Sequence, residues 1–276
     1  MDQREGNEAV REGVDRLERE NRELKKQLGT QSEFINYLVH DLRAPLTAIK
    51  SYADLLLRYR EEKEEIQQQF LLTIAGEAER MHCLINDFLD LSKMEQGMFV
   101  CQHETVDMAR LADYFLGVFE GVRIQKEIHL FREYEEGLPC VLGDPQRLGQ
   151  VMTNLISNAI KFTPRGGNIR ICMRSIDRMD EKNMNPQNRL VISLEDSGQG
   201  IPERDRLRIF DKYFQLENRR TEGIPGTGLG LPIVKQIIEN HGGELRVEKG
   251  KLGGSAFIFE LPCAVESPVD ACKASG

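Results

Sequence analysis

The stretch DPQRLGQVMTNLISNAIKFTP, residues 144–164, decides how the chain folds. Asp144 followed by Pro145 is a good N-cap and first helical residue, and a helix over 145–161 follows from it. At helical spacing Asn154, Asn158 and Lys161 stand at i, i+4 and i+7 and share one polar stripe. Val151, Leu155 and Ile156 face elsewhere, and Leu148 and Met152 complete the apolar side. Two amides and a lysine are unusual on a helix otherwise this apolar. Amide oxygens suit a hard ion such as Mg²⁺ and lysine suits phosphate. The same stripe also reads as a capped polar edge.

Around this helix the pattern alternates between strands and helices from about Val100 onward. EIHLF, NIRICMRSI, RLVISLED and GSAFIFEL read as strands, rich in branched residues with partial alternation. Segments 107–120 and 228–240 read as further helices, and DRMDEKNMNPQN as a solvated hairpin loop. The expected architecture is an α/β sandwich, a mixed sheet with helices over one face.

Two glycine-bearing patches accompany the stripe. In LEDSGQGIP a buried-looking strand ends in Asp196, followed by Gly198 and Gly200. A carboxylate at a strand end can accept hydrogen bonds from an adenine amino group, while glycines let the backbone approach a ring; a tight turn explains the glycines equally well. In GIPGTGLGLPIV, Gly226, Gly228 and Gly230 stand just before a helix that continues to HGG. Exposed N–H groups at a helix start cradle phosphate. The patch lacks a Walker GKS/T ending and the strand that precedes a dinucleotide loop.

The first 42 residues carry a different period. Val10, Val14, Leu17, Asn21, Leu24, Leu28, Gln31, Ile35, Leu38 and Leu42 fall at a and d positions, among Arg, Glu and Lys. A parallel two-stranded coiled coil follows, with the lone Asn at an a position fixing register. In this register His40 falls at f, outside the seam, and Asp41 at g. Pro45 is expected to bend or loosen the helix one turn later. A second helix, through Ile66, Phe70, Ile74, Met81, Leu84, Ile85, Phe88 and Leu91, ends near Gly97. Paired across a dimer, two helices per chain make a four-helix bundle.

Composition bounds the function. Among 276 residues, 40% are apolar and 30% charged, as in a soluble protein with a core and long solvated helices. A net charge of −8 and a pI near 5.4 disfavour a general nucleic-acid binder. Cys83, Cys101, Cys140, Cys172, Cys263 and Cys272 show no CxxC or metal-ligand spacing, so free thiols in a reducing compartment are expected. No stretch is apolar enough to span a membrane and the acidic N-terminus is no signal peptide, which points to a cytoplasmic chain, or to the soluble output part of a longer membrane-bound sensor.

VHDLRAPLTAI, TNLISNAIKFT, DSGQG, RIFDKYFQ and GTGLGLPIV, in this order, closely resemble the H, N, first glycine, F and second glycine boxes of sensor histidine kinases, the enzymes of two-component signalling. The likeness covers roughly residues 30–262. It implies an α+β chain: a coiled-coil signalling helix (1–32), a dimerisation and histidine phosphotransfer hairpin (33–97), an ATP-binding domain of the gyrase, chaperone, histidine kinase and MutL type (98–265), and a flexible tail (266–276). It further implies that His40 is the phosphoacceptor and Asp41 its orienting acid or base, with Asn158 as the Mg²⁺ ligand and Asn154 and Lys161 on the phosphates of ATP. Asp196 would take the adenine, with Gly198, Gly200, Ile201 and Phe210 nearby. Leu216 to Gly226 would form a mobile lid, ending at Gly226, Thr227, Gly228, Leu229 and Gly230. The ATP domain would swing on a hinge near Gly97.

The implied partners are a second copy of the chain and an aspartate on the receiver domain of a separate response regulator, with no direct nucleic acid. Two positions depart from the family pattern. Ala44 stands where a Thr or Asn linked to dephosphorylating the regulator is usual, and Asp41 stands for the commoner Glu. The related ATP hydrolases generally carry a Glu one turn before the metal-binding Asn. Here that position is Asn154, which cannot act as a base and argues against efficient hydrolysis. A non-catalytic ATP-sensing scaffold is disfavoured by the intact boxes.

Overall fold

The structure, a computed structural model, describes residues 39, 41–59, 63–96, 102–179, 186–216 and 228–264. The coiled-coil heptads, His40, Gly97, most of the lid with Gly226 and Thr227, and the tail lie outside the described residues. The chain divides into two units, Met1–Asn86 and Asp87–Gly276.

The described part of the first unit is a pair of helices, α1 (41–58) and most of α2 (Glu64–Glu95), whose residues from Asp87 on group with the second unit. Helix α1 runs on through Pro45, which is buried, and the Thr47 hydroxyl donates to the Arg43 carbonyl at 2.7 Å. The pair is held across its faces by Tyr52 and Phe70, with ring centroids 5.4 Å apart. On α1, Leu46 and Leu57 are exposed and fall on one face at 3.6 residues per turn; on α2, Leu71, Ile85 and Leu89 do the same.

In the described residues of the second unit a five-stranded sheet carries helices on one face. After β1 (Glu104–Val106) come α3 (Met108–Val118), α4 (Glu120–Gln125), β2 (His129–Tyr134), β3 (Val141–Gly143) and α5 (Pro145–Phe162). Then follow β4 (Asn168–Met179), β5 (Pro186–Asp196), two 3₁₀ turns at Glu203–Asp205 and Arg208–Phe210, α6 (Gly230–Asn240), β6 (Glu244–Lys249) and β7 (Ser255–Pro262). The five-stranded sheet has the order β2-β4-β5-β7-β6, and the short β1 and β3 pair separately. Only β2–β4 is parallel, so the sheet is mixed, as the pattern requires. The expected hairpin loop is shorter than read: the β4–β5 ladder continues as far as Met179 opposite Pro186.

The alternation in these strands sets the core. Ile169, Ile171 and Met173 of β4, Leu190, Ile192 and Leu194 of β5, and Phe259 and Leu261 of β7 are all buried and share one face by register. Helix α5 lies over that face between α3 and α6, burying Leu148, Val151, Met152, Leu155 and Ile156. Both N-caps work as the sequence suggests. Asp107 accepts from the N–H groups of Ala109 and Arg110, and Asp144 from those of Gln146 and Arg147.

Of the described cysteines, Cys83, Cys172 and Cys263 are free thiols. Burial is the first cause that pushes the Cys172 and Cys263 thiols up to about 11, leaving little thiolate near neutrality. Cys140 is disulfide-bonded, which corrects the expectation of free thiols throughout and removes cysteine content as an argument about compartment.

One turn carries a local strain. Glu127, after α4, has φ 55°, a left-handed conformation that disfavours a Cβ. Its carboxylate meets Arg165 only at the exposed surface. Glu127→Gly is therefore expected to stabilise the second unit by about 0.5–1 kcal/mol in urea unfolding, less the entropy that glycine adds to the unfolded chain.

Candidate functional site

The register that builds the core also exposes its exception. Asp196 continues the inward row Leu190, Ile192, Leu194 and stands opposite Ile169, so a carboxylate occupies a core position at the end of β5. It is only 5% exposed. Its Oδ1 accepts the Gly198 N–H at 2.8 Å, which turns the chain sharply out of the strand.

Beside it lies a cavity of about 300 Å³ within the second unit. Helix α5 contributes its whole polar stripe, Asn154, Asn158 and Lys161, together with Ser157 and Phe162. The stripe thus faces a cavity and is not a solvated edge. Asp196 and Ile201 line another side; Gly228, Gly230 and Leu231 at the start of α6 line a third. The lining of amides, a cation and a buried carboxylate can pair with a ligand that carries both anionic groups and hydrogen-bond donors.

The remaining residues expected at the site are placed as follows. Gly198 and Gly200 form the turn after Asp196 but are not cavity-lining, and Leu229 is buried beneath the start of α6. Phe210 does not line the cavity either; its ring lies 5.9 Å from Lys235 Nζ of α6, while its neighbour Ile209 is buried and does line it. A 3₁₀ turn advances each side chain by about 120°, so adjacent residues cannot share a direction. Asp41 opens the described part of α1 and is half-buried; it belongs to the first unit.

The residues flanking the expected lid, Leu216 to Gly226, are joined to each other. The Tyr213 N–H donates to the Gly228 carbonyl at 3.0 Å. Gly228 has φ +69°, and a Cβ there would fall 2.8 Å from the Tyr213 backbone. A side chain at this position would both strain the backbone and part the stem.

Several lining residues escaped the sequence reading: Ser255 and Phe257 of β7, Phe214 and Gln215 after the second 3₁₀ turn, and Asp87 of α2; Leu216, expected at the start of the lid, also lines the cavity. The glycine pair 253–254 just ahead of Ser255 was the available signal for it. Asp87 offered none, because an acid on a charged helix reads as solvated. Burial, and then the charge of Asp90, raise the Asp87 carboxyl to about 6.

Because this folded value lies above the ordinary carboxylate value of 3.8, Asp87 contributes most below that pH. Its contribution declines between about pH 4 and 6, and the ionised group is a net cost above. Allowing for partial solvent access, Asp87→Asn is expected to stabilise the chain by about 1 kcal/mol at pH 7.5 and by little at pH 4. Denaturant unfolding at the two pH values checks this; an equal gain at both would locate the effect elsewhere.

Among the described residues no cluster of three His, Cys, Asp or Glu side chains could hold a metal ion. A divalent cation here would have to be shared between an amide oxygen of α5 and oxygens of the ligand and water, a donor set that suits Mg²⁺. No helix of the described residues is long and apolar enough to cross a membrane.

Comparison with known proteins agrees with the geometry. Residues 143–265 match the family of histidine kinase-, DNA gyrase B- and HSP90-like ATPases, and residues 30–97 match the His Kinase A (phospho-acceptor) domain. Sensor histidine kinase WalK of Bacillus subtilis (strain 168) is 34% identical over 252 residues, covering 90% of this chain and 39% of that protein. Drug sensory protein A of Synechocystis sp. is 35% identical over 84% of this chain and 35% of its own length. The chain therefore spans between a third and two fifths of these relatives.

Among solved structures, full-length ShkA in complex with AMPPNP matches with a TM-score of 0.62 at 26% identity, over 86% of this chain and 47% of that one. Histidine kinase ThkA in complex with response regulator protein TrrA matches with a TM-score of 0.66 at 26% identity, over 87% of this chain and 64% of that one. With both modules matched in the same order, the chain belongs to the sensor histidine kinases of two-component systems.

Proposed function

We propose that the chain is an ATP-dependent protein histidine kinase that phosphorylates itself on His40 and passes the phosphoryl group to an aspartate of a separate response regulator. The observation that carries this reading is the convergence of Asn154, Asn158 and Lys161 with Asp196 on one cavity. Asp196 supplies an acceptor for the adenine amino group. Lys161 and the amides lie where the polyphosphate would run, with Asn158 the residue that would hold Mg²⁺. The cation would neutralise charge on the phosphates when bound.

In the transfer, an imidazole nitrogen of His40 forms a bond to the γ-phosphorus as the bond to the β,γ-bridging oxygen breaks and ADP leaves. The ring proton passes to the neighbouring carboxylate of Asp41, which also stabilises the developing imidazolium. Alignment of nitrogen and phosphorus is the main remaining requirement. Residues 33–97 serve as the phosphotransfer domain, 98–265 as the ATP-binding domain, and 1–32 as a signalling coiled coil. Gly226 and Thr227 act at the lid's phosphate-facing end.

The working unit is a homodimer. The exposed apolar lines on α1 and α2 are the support: Leu46 and Leu57 are 56% and 62% exposed in a single chain. A second copy would bury them as a four-helix bundle. The catalytic part acts in the cytoplasm.

Incubation with γ-labelled ATP and Mg²⁺ tests the reading, comparing wild type with His40→Gln. Acid-labile, base-stable label that disappears in the variant is expected. Label that persists in His40→Gln would move the acceptor elsewhere, and nucleotide binding with no label in the wild type would favour a non-catalytic scaffold.

A further inference from the structure

Helix α5 presents a difficulty for any polyphosphate. Asn158 and Lys161 sit in its last turns, ahead of Phe162 at the C-terminus. The C-terminal end of a helix carries about half a negative charge from its unpaired carbonyls, which repels anions. An anionic ligand bound along this stripe therefore meets the unfavourable end of the dipole.

One side chain answers this. Lys126, in the turn after α4, donates from Nζ to the carbonyls of Ile160 at 2.8 Å, Lys161 at 3.1 Å and Thr163 at 3.2 Å. Three donors meet three acceptors, the full capacity of an ammonium. Its own carbonyl accepts the Gly166 N–H at 3.0 Å, fixing the turn to the segment after α5. The other nearby end groups are satisfied locally: the Thr163 N–H and hydroxyl both donate to the Ala159 carbonyl. Lys126 is absent from the cavity lining, so it acts through α5.

We propose that Lys126 is a positioning residue for nucleotide phosphates: its ammonium offsets the carbonyl charge at the end of α5 and fixes the turn from which Lys161 reaches the cavity. The inference rests on the reading of the cavity as an ATP site. It predicts a loss that grows with ligand charge. In Lys126→Met, which keeps the aliphatic stem, the ATP dissociation constant is expected to rise about tenfold, that of ADP less, and that of adenosine not at all. Lys126→Arg should recover most of the ATP affinity.

Calorimetric titration of the whole chain with ATP, ADP and adenosine reads this directly. Equal weakening for ATP and adenosine would make Lys126 a purely structural cap and overturn the inference, as would an unchanged ATP affinity. If Lys126→Met does not fold, Lys126→Gln serves, because it donates to the carbonyls without charge. It should restore folding yet keep the charge-graded loss, and wild-type affinity for ATP in that variant would overturn the inference. Failure of the wild type itself to bind ATP would instead overturn the reading of the cavity.

Discussion

Gly254→Ala is expected to lower ATP affinity by on the order of 100-fold and to destabilise the second unit by about 3 kcal/mol. Gly254 precedes β7 and lies against the end of β5, with its N–H donating to the Asp196 carbonyl at 3.2 Å. A Cβ on Gly254 would fall 2.5 Å from that carbonyl oxygen and 2.6 Å from the Gly198 nitrogen, and closer still to Asp196 Oδ1. Two of these are backbone atoms that cannot rotate away. The third is the carboxylate proposed to take the adenine, and it can yield only by leaving the Gly198 N–H.

The loss of a charge-assisted hydrogen bond, together with misplacement of the adenine acceptor, gives the affinity estimate. Gly121→Ala is the matching control: it lies in α4, with nothing within 4 Å of the added methyl. That substitution should be neutral or stabilising by about 0.5–1 kcal/mol. Equal effects of the two substitutions on ATP titration and urea unfolding would refute the packing argument.

Gly254 also shows where the sequence stops being legible. Its requirement is set by Asp196, far away along the chain, and no local pattern reports that. The α5 stripe could be read because it combines a cap, a proline and a 3.6-residue period on one element. Strands β4, β5 and β7 could be read because their core rows alternate over many residues. The edge strand β6, ELRVEK, offers only Leu245 and Val247 to an inward row and passes for a loop. The strands β1 and β3 hold three residues each, too few for any period, and are defined by their pairing, Val106 opposite Val141. Asp196 was legible for the opposite reason: an acid that interrupts an apolar row next to a glycine violates the local pattern, and such violations gather at sites.

The last large effect is expected at His241, which joins the two helices that frame the cavity. The ring is 6% exposed and sits at the C-cap of α6. Its Nδ1 lies 2.7 Å from the Ile237 carbonyl, and its Nε2 lies 2.9 Å from the Asp144 nitrogen. A carbonyl only accepts and a backbone N–H only donates, so the ring is the neutral tautomer with its hydrogen on Nδ1. Asp144 is the N-cap of α5, and its carboxylate also accepts from Gln102. One imidazole thereby couples the end of α6 to the start of the helix that carries Asn154, Asn158 and Lys161. The fit is close: a Cβ at Gly143 would fall 2.7 Å from the ring. His241→Ala leaves a buried void and an unpaired Asp144 N–H, and is expected to cost about 3–4 kcal/mol in urea unfolding. His241→Phe fills the void without either hydrogen bond and should cost about 2 kcal/mol. If the phenylalanine variant were as stable as the wild type, the ring would act by volume alone, and the coupling of α6 to α5 through its two nitrogens would have no energetic basis.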